Sequence, residues 1–127
     1  MTYCATIGIP PISKKNHQRI LYNPKTGKRW VAPSIEYERY ERDACRLLPK
    51  PAFPISTPVN VKCIFYMKNR RRVDLTNLLE AADDVLVKRG VLVDDHSGII
   101  FSHDGSRVLH DRERPRTEIE IEEVEVG

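Results

Sequence analysis

The sequence predicts an α+β domain in which two helices pack on one side of a mixed β-sheet. Apolar side chains recur at every second position from Val59 to Met67, which is the period of a half-buried strand. Two other segments repeat apolar residues at helical spacing, and extended patterns flank them towards both ends of the chain. The resulting order is strands, helix, strand, helix, strands, which favours helices layered on one face of a sheet.

The first strand is predicted from Tyr3 to Ile9, where apolar residues alternate with smaller or polar ones before a Pro-Pro pair. A loop rich in bases follows. Pro24 and Gly27 then indicate a turn between two short extended arms.

The first helix is predicted to begin after Ser34, whose side chain is a favoured N-cap. Its apolar stripe has helical spacing and is interpreted as core rather than as a stacking surface for bases. The stripe consists of Tyr37, Tyr40, Ala44, Leu47 and Leu48. Four prolines between residues 49 and 58 end this helix and lead into the strand from Val59 to Met67.

A second amphipathic helix is predicted from an apolar stripe that ends near Arg89, with Gly90 at a C-terminal capping position. The stripe consists of Leu75, Leu78, Leu79, Ala82 and Leu86. The Asp104-Gly105 turn then predicts a β-hairpin, from Ile99 to Leu109. Alternating Ile or Val and Glu from Thr117 to Val126 predicts a last strand, with a possible bulge where two Glu residues are adjacent.

The size and composition predict one globular domain spanning residues 1–127. Charged residues make up 31% and hydrophobic residues 40% of the chain, and no apolar run approaches the length of a membrane span. The N-terminus does not resemble a secretory signal, so the expected location is the cytoplasm. Three widely spaced cysteines without a CxxC pair indicate neither a disulfide framework nor a zinc site.

A basic run and a set of acids lie close together between Lys68 and Asp95. Arginines bind the nucleic-acid backbone by displacing counterions, whereas carboxylates repel it unless a divalent cation lies between them. This adjacency indicates metal-dependent cleavage of a phosphodiester. For any one of these acids, a solvated surface position is the simpler interpretation.

The acids come from two segments of the chain. Asp74 directly precedes the second helix, where capping backbone amides competes with a catalytic role. Polar residues spaced by three, four and four form a ridge on that helix, namely Asn77, Glu80, Asp84 and Lys88. Asp94 and Asp95 follow the helix. Carboxylates from two segments can hold Mg²⁺ and leave room for water and a phosphate oxygen. His96 could act as a base, but a solvated loop histidine is the favoured interpretation.

The motif from Asp74 to Leu78, the helix after it and the Asp94-Asp95 pair together resemble the RusA family of Holliday junction resolvases. The first loop and the last strand are similar to the family's ends. The resemblance implies a small homodimeric endonuclease, often encoded by phages or prophages, that acts in DNA recombination and repair. It also implies that the enzyme uses Mg²⁺ to nick branched DNA, the four-way junction, symmetrically, with no organic cofactor and no membrane association.

The resemblance carries the family's essential aspartates onto Asp74 and Asp95. The family's further catalytic Asp is replaced here by Thr76, and a commonly present lysine is replaced by Glu80. The hypothesis is that Glu80 restores the missing carboxylate, because one turn of helix brings it to the same end of the ridge. The expected catalytic and metal-binding residues are Asp74, Glu80 and Asp95, with Asp84 and Asp94 as further candidate ligands and Asn77 in support.

Contacts to DNA phosphates are expected from the first loop and from the basic run before Asp74. The residues are Lys14, Lys15, Arg19, Lys68, Arg70, Arg71 and Arg72. A further basic group, Arg112, Arg114 and Arg116, is interpreted as a solvated connector.

Two alternatives to a resolvase remain open at this stage. One is a catalytically weak relative that binds branched DNA without cutting it, because Thr76 removes a ligand. The other is an interaction domain whose acids are caps and solvated charges. Metal-dependent cleavage distinguishes the resolvase from the first, and preference for junctions over duplex distinguishes it from the second.

Overall fold

A computed structural model describes residues 2–14 and 18–125 of the chain. The elements are β1 (Thr2–Ile7), β2 (Gln18–Tyr22), β3 (Arg29–Pro33), α1 (Ile35–Leu47), β4 (Val59–Met67), α2 (Leu75–Arg89), β5 (Ile100–Ser102), β6 (Arg107–His110) and β7 (Arg116–Glu123). In the described ranges, neither helix has the length and apolar character needed to cross a membrane.

The main sheet is mixed and has β7 and β4 at its centre. β1 and β4 both pair antiparallel with β7, while β5 and β6 pair parallel with the other edge of β4. β2 and β3 form a separate antiparallel ribbon. Both helices contribute buried apolar residues to the same core as β4 and β7. The α+β prediction of a mixed sheet with two helices packed on it is therefore confirmed.

The helix boundaries follow the predicted capping signals. The hydroxyl of Ser34 accepts a hydrogen bond of 3.1 Å from the backbone N–H of Tyr37 at the start of α1. Gly90 ends α2 in the left-handed region with φ 81°. The prediction is wrong for one residue of the apolar stripe in α1. Leu47 is 47% exposed, because consecutive helix positions point in different directions and Leu48 occupies the buried position.

Strands β1 and β7 differ slightly from the sequence prediction. β1 ends at Ile7, two residues before the predicted Ile9. Glu122 and Glu123 form no bulge, since both stay in regular register with β4. The buried side chains of β7 alternate with half-buried glutamates, as the pattern predicts.

The predicted hairpin at Asp104-Gly105 is wrong. β5 and β6 follow one another along a single edge of β4, at Val59–Asn60 and at Ile64–Met67. The side chain of Asn60 causes this, because its Oδ1 accepts from the N–H of Asp104 at 2.7 Å and its Nδ2 donates to the carbonyl of Asp104 at 3.2 Å. The Asp104-Gly105 turn therefore interrupts a single edge strand and does not join two antiparallel strands.

Side chains satisfy the backbone of β4 opposite this break. The imidazole Nδ1 of His103 lies 2.8 Å from the carbonyl oxygen of Val61, and the N–H of Cys63 donates to the hydroxyl of Ser106 at 3.0 Å. Because buried backbone groups need partners, these two contacts replace the missing ladder. They also direct the His103 ring towards α2.

Candidate active site

Asp74 stands at the N-cap position of α2 without using its carboxylate as a cap. Its backbone carbonyl accepts hydrogen bonds from the N–H groups of Asn77 and Leu78. The carboxylate Oδ2 instead accepts a bond of 3.2 Å from the side-chain amide of Asn77. Asp74 is exposed, so its carboxylate faces solvent at a helix end that favours anions.

The basic run lies immediately before Asp74, in the connection from β4 to α2. Lys68, Arg70, Arg71 and Arg72 are all exposed. A cleft separates this connection from the first loop and reaches the first turns of α2. Its lining residues are Pro11, Ile12, Ser13, Met67, Asn69, Arg71, Arg72, Val73 and Leu78. The fold therefore brings the first loop and the basic run to one surface beside Asp74.

A second shallow cleft extends the same basic surface. Lys68, Arg70 and Arg112 line it, together with Asn69 and His110. Arg112 was interpreted from the sequence as part of a solvated connector, but the structure places it beside the basic run. This proximity was not visible in the sequence, because Arg112 lies about forty residues further along the chain.

Arg116 does not behave as a solvated residue. Its guanidinium lies 3.8 Å from the ring centroid of Tyr66, and it forms ion pairs with Asp111 at 2.9 Å and Glu118 at 3.1 Å. Hydrogen bonds from the backbone of Arg114 and from this guanidinium lower the pKa of Asp111. The interpretation of Arg116 as a solvated connector is therefore wrong.

The predicted phosphate contacts of the first loop have partners within the protein. Lys14 Nζ lies 3.3 Å from Asp84 Oδ2 and 6.0 Å from the ring centroid of Tyr37. Arg19 pairs with Glu38 on α1 at 3.0 Å. Lys15, the third predicted contact, lies outside the described residues.

The acidic pair after α2 is anchored by buried neighbours. Val91 and Leu92 are buried, and backbone bonds join this segment to Ile55. Asp94 and Asp95 are exposed. The Oδ1 of Asp94 accepts the N–H of Asp95 at 2.7 Å, and this hydrogen bond lowers the pKa of Asp94.

Residues of the polar ridge on α2 contact two different parts of the protein, the first loop and α1. Asp84 faces the first loop through its ion pair with Lys14, and Lys88 pairs with Glu41 of α1. Glu80 is exposed. Asp84 is thus engaged with the first loop, and Lys88 with α1.

Asp83 is a feature of this site that the sequence analysis missed. Its side chain is 13% exposed, and its Oδ2 lies 3.0 Å from His103 Nε2. Burial raises the pKa of Asp83, and the negative charges of Asp95 and Asp84 raise it further, while His103 opposes this. The spacing of three between Glu80 and Asp83, one turn of helix, was the available sequence signal.

His103, the partner of Asp83, lies at the break between β5 and β6. Its ring joins the Val61 carbonyl on one side and Asp83 on the other. The hydrogen bond to Asp83 raises the pKa of His103. None of the sequence patterns pointed to His103, because its position depends on the break between β5 and β6.

Asp74, Glu80 and Asp95 are each exposed and offer the oxygen ligands that suit a hard cation. Asp83 Oδ1 is buried without a hydrogen-bond partner. Over residues 2–14 and 18–125, no three His, Cys, Asp or Glu side chains are grouped closely enough to hold a metal ion by themselves. Two carboxylates, together with water and a phosphate oxygen, would still be sufficient ligands for a hard cation such as Mg²⁺.

Comparison with known proteins places the same residues in a family context. Residues 9–122 match the family model described as "Endodeoxyribonuclease RusA". Over 96 residues, covering 74% of each chain, the sequence is 32% identical to the crossover junction endodeoxyribonuclease RusA of Escherichia coli strain K12. Over the same length and coverage, it is 31% identical to the protein of that name from Shigella sonnei and 30% identical to that of Enterobacteria phage 82.

Proposed function

The chain belongs to the RusA family of endodeoxyribonucleases, and on this premise we propose that it resolves four-way DNA junctions in recombination and repair. Relatives that are 30–32% identical are named crossover junction endodeoxyribonucleases. The reaction is hydrolysis of a phosphodiester, in which water attacks phosphorus and the bond to the leaving oxygen breaks.

The observation that carries this proposal is the position of Asp74. Its carboxylate is exposed, makes no capping bond, and directly follows the run of arginines that borders the cleft. An acid that served only as a cap would bond to amides of the first turn. Its orientation by Asn77 instead leaves carboxylate oxygen available at the surface where a phosphate would bind.

The cations around the cleft position the DNA. Lys68, Arg70, Arg71 and Arg72 neutralise phosphates and bring the backbone to Asp74. Arg112 extends this surface on the far side of Lys68. Lys14 and Arg19 act less directly, because Asp84 and Glu38 already neutralise them.

Mg²⁺ is the proposed metal, and Asp74, Glu80 and Asp95 are its proposed ligands, of which two would complete the set with water and a phosphate oxygen. When bound, it would lower the pKa of water and offset the charge that develops on the phosphate oxygens. Asp84 and Asp94 act as supports, since one pairs with Lys14 and the other bonds the backbone of Asp95. His103 holds Asp83 on α2, and the negative charge of Asp95 contributes to raising the pKa of Asp83.

We further propose that the enzyme is a homodimer that acts on DNA in the cytoplasm. A two-fold dimer matches the approximate two-fold symmetry of a four-way junction and gives one site for each of two opposite strands. Symmetric nicking follows from that geometry.

Cleavage of a synthetic four-way junction, beside a duplex of equal length, tests this function. Wild-type protein is expected to cut the junction in Mg²⁺ and not in EDTA, and to leave the duplex intact. Asp74→Asn should abolish cleavage, whereas Asp43→Asn, which alters an exposed ion pair on α1, should not. Equal cutting of both substrates would overturn the proposed selectivity.

A second candidate is a relative that binds junctions without cutting them. It is favoured by Thr76 at the position of a family aspartate and by the lack of a carboxylate trio in the described ranges. Binding of the junction by the wild-type protein, without cleavage in either Mg²⁺ or Mn²⁺, would establish it.

A further inference from the structure

The β2–β3 ribbon is uniformly basic and exposes large apolar side chains. Residues 18–33 contain four Lys or Arg and no Asp or Glu. Ile20 is 73% exposed, Val31 61%, Tyr22 56% and Trp30 48%. Single exposed residues of this type are ordinary, whereas a contiguous exposed patch of them indicates a binding surface.

Strand register divides these side chains between two faces. Ile20 pairs with Val31 and Tyr22 pairs with Arg29, so these four residues lie on one face, whereas Trp30 pairs with Leu21 on the other. The Arg29 guanidinium lies 5.7 Å from the ring centroid of Tyr22. This face is called the outer face below.

The opposite face is directed towards α1. Arg19 lies on it and forms an ion pair with Glu38 of that helix. β3 ends immediately before Ser34, the N-cap of α1, and β2 follows the first loop. The ribbon is thus attached to the body at its base, near the loop that carries Lys14, while its outer face points away from α1.

We propose that this ribbon is an arm that inserts its outer face at the centre of branched DNA. This rests on the proposed function. Tyr22 stacks on a base at the crossover, Ile20 and Val31 form the apolar surface beside it, and Arg29 contacts the neighbouring phosphate. Apolar and aromatic side chains open base steps in this way, at a cost that is smallest where stacking is already interrupted.

Charge complementarity favours DNA over a second copy of the chain as the occupant. Lys25 and Lys28 lie in the turn at the tip, so the cations continue past the apolar patch. A polyanion satisfies all of them at once. A protein interface would bury several like charges together with the apolar residues, and such cores are depleted in charge.

The ribbon carries the single tryptophan of the chain, Trp30, on the face opposite Tyr22, so a fluorophore on the outer face requires exchanging these two positions. In a Tyr22→Trp, Trp30→Phe variant the single tryptophan lies on the outer face, and its fluorescence, recorded in EDTA to prevent cleavage, is expected to be quenched on addition of a four-way junction. A duplex of equal length should give a smaller change. No change with the junction, at concentrations where it is bound, would overturn the proposal.

Substitution at Tyr22 separates stacking from general attraction. Tyr22→Ala should weaken junction binding on the order of tenfold and leave duplex binding almost unchanged, because one base–aromatic contact is lost. Tyr22→Phe keeps the ring and should bind like wild type. The matched control is Phe53→Ala, which removes an 83% exposed aromatic outside the ribbon. Equal junction binding by all four proteins would overturn the proposal.

Two further outcomes have distinct meanings. If Tyr22→Ala changes the sedimentation of the free protein and Phe53→Ala does not, the outer face belongs to a second copy and the arm proposal is wrong. If wild-type protein cuts junctions while Tyr22→Ala binds and cuts them equally well, only the arm proposal fails. If wild-type protein does not bind junctions at all, the proposed function fails with it.

Discussion

Asp74 illustrates what a single residue's surroundings add to its sequence position. The sequence left a cap and a catalytic carboxylate as competing roles. Asp74 makes no side-chain capping bond and contacts Asn77 instead, and on this basis we propose a functional role for its carboxylate. The orientation of a side chain at an N-cap depends on neighbours one turn away. The position of Asp74 in the sequence therefore could not distinguish the two roles.

Glu80 tests whether the carboxylate missing at Thr76 has been replaced. We predict that Glu80→Gln lowers junction cleavage at least tenfold, and that adding Thr76→Asp restores much of it, because a charged ligand returns to the same face of α2. Single-turnover cleavage rates measure both effects. Asp43→Asn is the control for loss of a surface carboxylate. Wild-type rates in Glu80→Gln would eliminate the compensation hypothesis.

His103 gives a prediction about stability and pH. Its pKa is raised above the ordinary 6.5 by the hydrogen bond to Asp83. A raised pKa in the folded state contributes stability that is fully present below the unfolded value and is lost as pH rises through the folded value. The free energy of unfolding should therefore fall as pH rises above about 6.5.

Urea unfolding of wild type, His103→Gln and His110→Gln across this pH range provides the test. The decrease should be absent in His103→Gln and retained in His110→Gln, whose histidine is exposed. The same decrease in all three proteins would show that the Asp83–His103 contact is not its source.

At the scale of elements, the helices and the two central strands were predictable because their signals are local. Ser34, Gly90 and the alternation in β4 and β7 act within a few residues, and the structure retains each of them. The Asp104-Gly105 hairpin failed for the opposite reason. Its outcome is decided by Asn60, more than forty residues earlier, and no local rule includes that contact.

Asn60 is accordingly predicted to be important for the edge strand. Asn60→Ala removes hydrogen bonds to both backbone groups of Asp104 and to the hydroxyl of Ser102, and should lower the free energy of unfolding by about 1–3 kcal/mol. Asn60→Asp keeps the acceptor and should lose less. Equal stability of all three proteins in urea would contradict this explanation of the break.

At the scale of the whole molecule, charge is distributed unevenly. The net charge is only +3, yet the cations gather around the two clefts beside Asp74 and on the ribbon, while glutamates occupy β7. The sequence predicted the basic run. The sequence could not predict that Arg112 lies beside the basic run or that Arg116 lies apart from this run. Both positions depend on the pairing of β6 and β7 with β4.

This distribution predicts how DNA binding depends on salt. Replacing Arg70, Arg71 and Arg72 together by alanine should weaken binding to junction and duplex alike and flatten the dependence of log K on log salt by roughly two to three units. The control replaces Arg42 and Arg46, which are paired with Asp43 on α1. An unchanged slope in the triple variant would exclude the basic run as the phosphate-binding surface.

The central claim is that this chain is a junction resolvase whose site is organised around Asp74. Its most direct test maps the nicks on a four-way junction, with each of the four strands end-labelled in turn, for wild-type protein and Asp74→Asn. Nicks are expected at symmetry-related positions on two opposite strands with wild type, and junction binding without nicks is expected in the variant. Nicks that persist in Asp74→Asn, or that fall at unrelated positions along the arms, would contradict this claim.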